Sequence, residues 1–270
     1  MEIDTGTNEL LCVVKDSVAL ITLNRPEARN AMSPDLTAAL RSQIKARGED
    51  PNVGALLITG AGTAFCSGGD VKAMGGRGPR GQMTFEERLG DLRWRQAGLT
   101  GALAAVRKPT IAALPGAAAG AGLAIALACD IRIAAKSAFC STGYARVGLS
   151  GDYGIAWLLT RTVGAMRARE LMLTSERVDA ERCERIGLVN RLVDDAKLQD
   201  EAFAFAKSLA EGPRIALANM KNNLDEALHI DYPTAMFREA ERLTQSSRTE
   251  DHKEAVKAFV EKRKPVFTGR

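Results

Sequence analysis

The apolar runs LLCVV (10–14) and VALITLN (18–24) flank the polar triplet Lys15-Asp16-Ser17, and this spacing predicts a β-hairpin. Ser33-Pro34-Asp35 then supplies an N-cap side chain, a proline at the first helical position and an acid in the first turn. A helix running to about Arg47 follows from that signature. Ala55 to Thr59 reads as a short buried strand, and Thr84-Phe85-Glu86-Glu87 as a capping box that opens a helix reaching toward Val106. Thr110 to Leu114 is a second buried strand, followed by a small-residue turn and a helix buried on all sides. A strand at Ile131 to Ala135 and a helix starting near Asp152 complete a repeated order of strand, loop and helix. That order predicts an α/β core, a parallel sheet with both faces covered. Beyond Leu192 the strand signals stop, and helical segments starting near Asp195, Pro213, Tyr232 and Glu250 predict a helical C-terminal extension. The expected division is 1–194 for the core and 195–270 for the helical region.

The stretch IAALPGAAAGAGLAIALAC, from Ile111 to Cys129, carries no charge and approaches the length of a membrane span. Its bulk is Ala, Gly and Pro, and it lies between Lys108 and Asp130 without flanking aromatic residues, so a buried strand and helix explain it better. With 46% hydrophobic and 26% charged residues, the 270-residue chain has the composition of one or two globular domains. A net charge of +4 is too small to indicate nucleic acid, although it suits an anionic small molecule. Five cysteines (Cys12, Cys66, Cys129, Cys140, Cys183) form no CxxC pair, which argues against a zinc site and a disulfide framework. No basic segment precedes an apolar one at the N-terminus, so the expected location is the cytoplasm.

His229 and His252 both fall in the polar C-terminal helices, away from the glycine-rich loops, where a Ser-His-Asp or Cys-His mechanism would need its base. Gly148-Leu149-Ser150-Gly151 lacks the spacing of a nucleophile elbow. Gly120-Ala121-Gly122 lacks the third glycine of a dinucleotide fingerprint. The glycines in AFCSGGD (64–70) and PGAAAGAG (115–122) instead offer backbone N–H groups, the second at a helix start. If these loops converge, a carbonyl oxygen between them meets two donors, as an oxyanion or enolate requires. Each loop by itself reads first as an ordinary tight turn where helix and strand pack closely.

Six blocks in order resemble the crotonase superfamily, the enoyl-CoA hydratase and isomerase family. They are ITLNRPEARNAM (21–32), AFCSGGDVKAM (64–74), KPTIAALPGAAAGAGLAIALACDIRIA (108–134), GLSGDYGIAWLLTRTVG (148–164), IGLVNRLV (186–193) and HKEAVKAFVEKRKPVF (252–267). The resemblance implies a crotonase-like spiral of repeated ββα units with C-terminal helices that build trimers, often paired into hexamers. It also implies a CoA thioester substrate, with no metal or flavin. By position in those motifs, the Gly69 and Ala121 N–H groups would form the oxyanion hole. Arg25, Ala28 and Ser67 would contact the CoA nucleotide, and Phe259 and Lys262 its phosphate and adenine sites. Arg25 and Lys262 are otherwise ordinary surface charges, and Asp70 is expected to hold its own loop.

The positions where hydratases of the family carry two glutamates match Ala124 and Gly143, which cannot exchange a proton. Asp152 matches an aspartate of family isomerases. A single carboxylate moving a proton between carbons is the minimum for double-bond isomerisation. Asp152 also suits a helix N-cap; burial would raise its pKa and a helix N-terminus would lower it. Tyr144, Tyr153 and Trp157 are candidates for the acyl pocket or for the core. The expected activity is enoyl-CoA isomerisation. Hydratase or acyl-CoA hydrolase chemistry, and acyl-CoA binding without turnover, are the alternatives.

Overall fold

The computed structural model describes residues 1–69 and 83–270. The chain builds two sheets. The larger has the order β1-β2-β3-β4-β6-β8-β11, from Glu2–Ile3, Leu10–Lys15, Val18–Leu23, Ala55–Gly60, Thr110–Leu114, Ile131–Ala135 and Arg191–Val193. The smaller has the order β10-β9-β7-β5, from Val178–Asp179, Phe139–Ser141, Ala117–Ala119 and Ala64–Cys66. From β3 to β11 the larger sheet is parallel, as are β5, β7 and β9 in the smaller one. Consecutive strands therefore alternate between sheets: β4 then β5, β6 then β7, β8 then β9. This is the expected ββα spiral.

The hairpin forms as its pattern predicts, with β2 antiparallel to β3 and Lys15 opposite Val18. Asp16 and Ser17 occupy the left-handed region, at φ 50° and 60°, as a two-residue hairpin turn demands. Helix α1 (Pro34–Glu49) starts at Ser33, whose hydroxyl accepts the Leu36 N–H at 3.0 Å. Helix α2 (Phe85–Gln96) starts with the complete Thr84–Glu87 capping box, then passes through a wide π-turn at Ala97–Gly101 into α3 (Ala102–Ala105).

Every residue of β4 and β6 is buried, because helices cover one face and the second sheet lies across the other. Helix α4 (Ala121–Ala128) is buried along its whole length, as the small-residue run predicts. Its composition follows from a close approach: a Cβ at Gly122 would lie 2.3 Å from the Cys66 carbonyl oxygen. The remaining helices are α5 (Ile155–Thr174), α6 (Ala180–Arg185), α7 (Leu198–Ala210), α8 (Arg214–Glu226), α9 (Tyr232–Ser246) and α10 (Glu250–Val260). Helix α7 lies on β3, β4, β6 and β8 and buries Leu198, Ala202, Ala206 and Ala210. The helices that follow keep large apolar side chains exposed. Among the described residues no helix is long and apolar enough to cross a membrane.

Candidate active site

Strands β5, β7 and β9 are parallel neighbours, so their C-terminal ends reach one edge of the smaller sheet. The segments leaving that edge are Ser67-Gly68-Gly69, Gly120-Ala121 and Thr142-Gly143-Tyr144. Parallel α/β sheets characteristically place ligands outside the carboxyl ends of their strands. The two glycine loops do converge: a Cβ built on Gly68 would lie 2.8 Å from Ala119 O and 3.5 Å from Ala121 N. Gly68 also sits at φ +95°, a conformation that excludes other residues sterically. The Gly120 N–H bonds Ser141 O at 3.1 Å and ties the second loop to β9. Gly120 (φ +53°) caps α4 with no side-chain cap, so the first N–H groups of that helix, Ala121 included, have no intrahelical partner. Asp70, expected to hold the first loop, lies outside the described residues.

Three anchors fix the segment after β9 against the C-terminal end of α5. Ser141 Oγ donates to Ser175 O at 3.1 Å, Thr142 Oγ1 donates to Leu171 O at 2.7 Å, and Ala145 N donates to Ser175 Oγ at 3.0 Å. Tyr144 is thereby set beside the second loop, its Cζ 4.0 Å from where a Gly120 Cβ would stand. Its hydroxyl donates to Asp152 Oδ1 at 2.5 Å. A continuous set of contacts thus runs from Gly68 through Gly120 and Tyr144 to Asp152.

The helix-cap expectation for Asp152 is corrected by these contacts. Helix α5 begins at Ile155, its cap is Gly154 at φ 74°, and no side chain caps it. Asp152 lends only its backbone carbonyl, to Ile155 N at 3.1 Å, and turns its carboxylate to Tyr144. Burial raises the carboxyl pKa above the usual carboxylate value, and the Tyr144 hydrogen bond offsets part of that rise. Tyr144 is itself pushed upward, by burial and by the Asp152 charge, so its hydroxyl stays protonated and remains a donor.

Arg25, Ala28 and Ser67 come together. Ser67 Oγ donates to Ala28 O at 3.4 Å, Ser67 N to Arg29 O at 3.0 Å, and Ala28 N to Arg25 O at 3.0 Å. The Arg25 guanidinium is oriented from within the chain, donating to Ala31 O at 2.6 Å and pairing with Glu9 at 3.2 Å. Met32 N donates to Gly68 O at 2.8 Å and joins this cluster to the first glycine loop. Phe259 and Lys262 lie apart from these contacts, exposed at the end of α10.

Ala124 is fully buried in α4, and Gly143 sits at φ +72° with open space where a Cβ would stand. Tyr144 and Tyr153 are buried, whereas Trp157 is exposed, with Arg161 over its ring and His229 stacked at 6.2 Å. His229 follows α8 in a turn and serves that stack. The Tyr144–Asp152 bond is the element of the site that sequence reasoning missed. Both residues were candidates, yet no periodicity pairs positions eight apart across a turn.

A family model described as enoyl-CoA hydratase/isomerase matches residues 14–270. A Rhodobacter capsulatus protein named probable enoyl-CoA hydratase is 39% identical over 95% of this chain and 96% of its own. The 1,2-epoxyphenylacetyl-CoA isomerase of Escherichia coli is 36% identical over 97% of this chain and 98% of its own. Among solved structures, an enoyl-CoA hydratase from Mycobacterium smegmatis superposes with a TM-score of 0.87 at 30% identity, covering 97% of this chain and 99% of that one.

Proposed function

The chain belongs to the enoyl-CoA hydratase/isomerase family, and on that premise we propose that it shifts a double bond in an enoyl-CoA thioester. The observation that carries this reading is the contact path from the converging glycine loops to a buried carboxylate, Asp152, through Tyr144. Hydratase-type acid–base chemistry is disfavoured by Ala124 and Gly143, neither of which bears a carboxyl group.

In the proposed reaction the thioester oxygen accepts hydrogen bonds from Gly69 N–H and Ala121 N–H. Asp152 removes a proton from C2 of a 3-enoyl-CoA. The pair of the broken C–H bond enters the C1–C2 bond, and the thioester oxygen takes the charge as a dienolate. On collapse the C3–C4 pair takes the proton from Asp152 at C4, and the double bond ends between C2 and C3. Atoms and electrons balance without metal, flavin or co-reactant. Each oxyanion donor is worth roughly a hundredfold or more in rate, and the base about a hundred to ten thousandfold. Partial desolvation suits Asp152 to this work, since a raised pKa brings a carboxylate closer to that of a useful base.

Arg25, Ala28 and Ser67 would receive the CoA nucleotide at the first loop, with Phe259 and Lys262 contributing to its phosphate and adenine sites. Residues 1–194 form the proposed catalytic unit. Residues 195–270 carry the proposed trimer or hexamer contacts, supported by exposed Leu224, Phe237, Leu243 and Phe259. The proposed location is the cytoplasm.

The test follows the ultraviolet absorbance of the conjugated thioester with 3-enoyl-CoA and 2-enoyl-CoA separately, for wild type and Asp152→Asn. Conjugation appearing from the 3-enoyl substrate, and lost by about a hundredfold or more in the variant, is the expected result. Consumption of 2-enoyl-CoA alone replaces the reading with hydration, and release of free CoA thiol replaces it with hydrolysis. Saturable binding without turnover leaves an acyl-CoA-binding protein.

A further inference from the structure

We propose that Tyr144 is a positioning residue for Asp152: by holding Oδ1 it fixes the carboxylate plane and leaves Oδ2 as the proton-carrying atom. The inference rests on the isomerase reading for its catalytic meaning and on the structure for its geometry. The Tyr144 hydroxyl lies 2.5 Å from Asp152 Oδ1. Its ring is wedged beside Gly120, and its backbone is bracketed by the Thr142 and Ala145 anchors to the end of α5. The Asp152 backbone is tied to the start of α5 through its carbonyl, which accepts from Ile155 N at 3.1 Å, whereas the hydrogen bond that orients its carboxylate comes from Tyr144. The tyrosine holds the carboxylate from the segment after β9, which is itself anchored to the end of α5.

This arrangement has a chemical consequence. With Oδ1 engaged, one oxygen both takes the C2 proton and returns it to C4, so the proton moves across one face of the dienolate. A freely rotating carboxylate would present either oxygen and expose the proton to exchange with solvent. Tyr144 also stabilises the ionised form through a hydrogen bond to a charged acceptor. Among the described residues, the titratable groups acting on this pair are Tyr144 on Asp152, and Asp152 and Tyr153 on Tyr144; burial is the largest influence on both. Near Gly151, the side chains packed from α5 are the apolar Ile155 and Met172.

The experiment compares wild type, Tyr144→Phe, Asp152→Asn and the double variant. The Asp152 carboxyl is titrated directly by carbon-13 NMR of aspartate-labelled protein. Isomerisation of a 3-enoyl-CoA deuterated at C2 is followed for rate, pH profile and the fraction of label arriving at C4. In Tyr144→Phe the carboxyl midpoint should rise by about one to two pH units, with the acidic limb of kcat/KM moving equally. Label retention should fall, and the substitution should have no further effect in the Asp152→Asn background. An unmoved carboxyl midpoint in Tyr144→Phe overturns the proposal, since a tyrosine that merely fills space would give that result. Full isomerase activity in Asp152→Asn instead overturns Asp152 as the base, and failure of wild type to isomerise the 3-enoyl-CoA overturns the isomerase reading, while the titration still judges the hydrogen bond of Tyr144 to Asp152. Should Tyr144→Phe fail to fold, 3,5-difluorotyrosine at position 144 keeps the shape and strengthens the donor. The Asp152 midpoint should then fall, and an unchanged or raised midpoint refutes the assignment.

Discussion

Gly122 is where packing and the candidate oxyanion site are most tightly coupled, and Gly122→Ala isolates that coupling. Helix propensity alone favours the change by about 0.8–1 kcal/mol. The added Cβ, however, would lie 2.3 Å from Cys66 O, 2.7 Å from Cys66 Cβ and 2.9 Å from Cys66 C. Two of these atoms are backbone of β5, so no flexible side chain can swing aside. Recovering an ordinary 3.4–4 Å contact requires α4 and β5 to part by about 1 Å. Overpacking of a close-packed core costs about 1–3 kcal/mol, which exceeds the propensity gain. The displaced atoms are those that set Ala121 N against the Gly68–Gly69 loop, and a 1 Å misplacement at a reacting centre costs about a hundredfold in rate. The expected outcome is a fall in melting temperature by a few degrees, together with a far larger proportional loss of kcat on a 3-enoyl-CoA. Gly90→Ala is the control, because a Cβ at Gly90, inside α2, meets nothing within 4 Å. It should raise stability by about the propensity difference. The reasoning is refuted if Gly122→Ala is as stable and as active as wild type, or if it gains stability as Gly90→Ala does.

Asp152→Asn should be more stable than wild type at neutral pH although less active. The buried carboxyl is raised above its ordinary value, so its contribution to stability is complete below pH 3.8 and is lost as pH rises through the folded-state value. Urea midpoints measured from pH 3 to pH 7 should therefore diverge in favour of the variant as pH rises, and parallel curves would contradict the burial argument. Ser33→Ala removes the acceptor for Leu36 N–H and should cost about 1 kcal/mol in urea unfolding; a change near zero would mean that Glu9, which also accepts that N–H at 3.2 Å, replaces the cap. Burial pushes the thiols of Cys66 and Cys129 up to about 12, so peptide mapping after iodoacetamide at pH 8 should find both unlabelled until the chain is unfolded. Labelling of either in the folded protein would show that α4 opens.

The features legible in the sequence were those with a local physical signature. Ser33 and the Thr84–Glu87 box cap their helices through side chains of the expected type, and the long apolar runs β4 and β6 are buried as strands. The smaller sheet was largely hidden, because AAA (117–119) and FCS (139–141) are three-residue strands made mainly of small residues and show no alternation. They are strands because the chain leaving β6 or β8 pairs with a neighbour in the second layer, which is tertiary context. The start of α5 was misplaced because aspartate is the commoner cap, whereas here Gly154 in the left-handed region turns the chain. That three-residue difference is what frees the Asp152 carboxylate for Tyr144.

The same topology explains why so few side chains assemble the site. Because β5, β7 and β9 run parallel in one sheet, every ββα turn of the spiral delivers a loop to the same edge. Two of those loops bring backbone groups, which no side-chain mutation can remove and which only close packing at Gly68 and Gly122 can aim. The third brings Tyr144, and it reaches the carboxylate on the following segment. In the proposed mechanism, electrostatic stabilisation would therefore depend on packing in the smaller sheet, and proton handling on the hydrogen bond of one tyrosine to one aspartate. A change at Gly122 should therefore reduce turnover without moving the pH profile, whereas Tyr144→Phe should move the profile. Both variants shifting the profile alike would mean that the two functions share one structural support, contrary to this division.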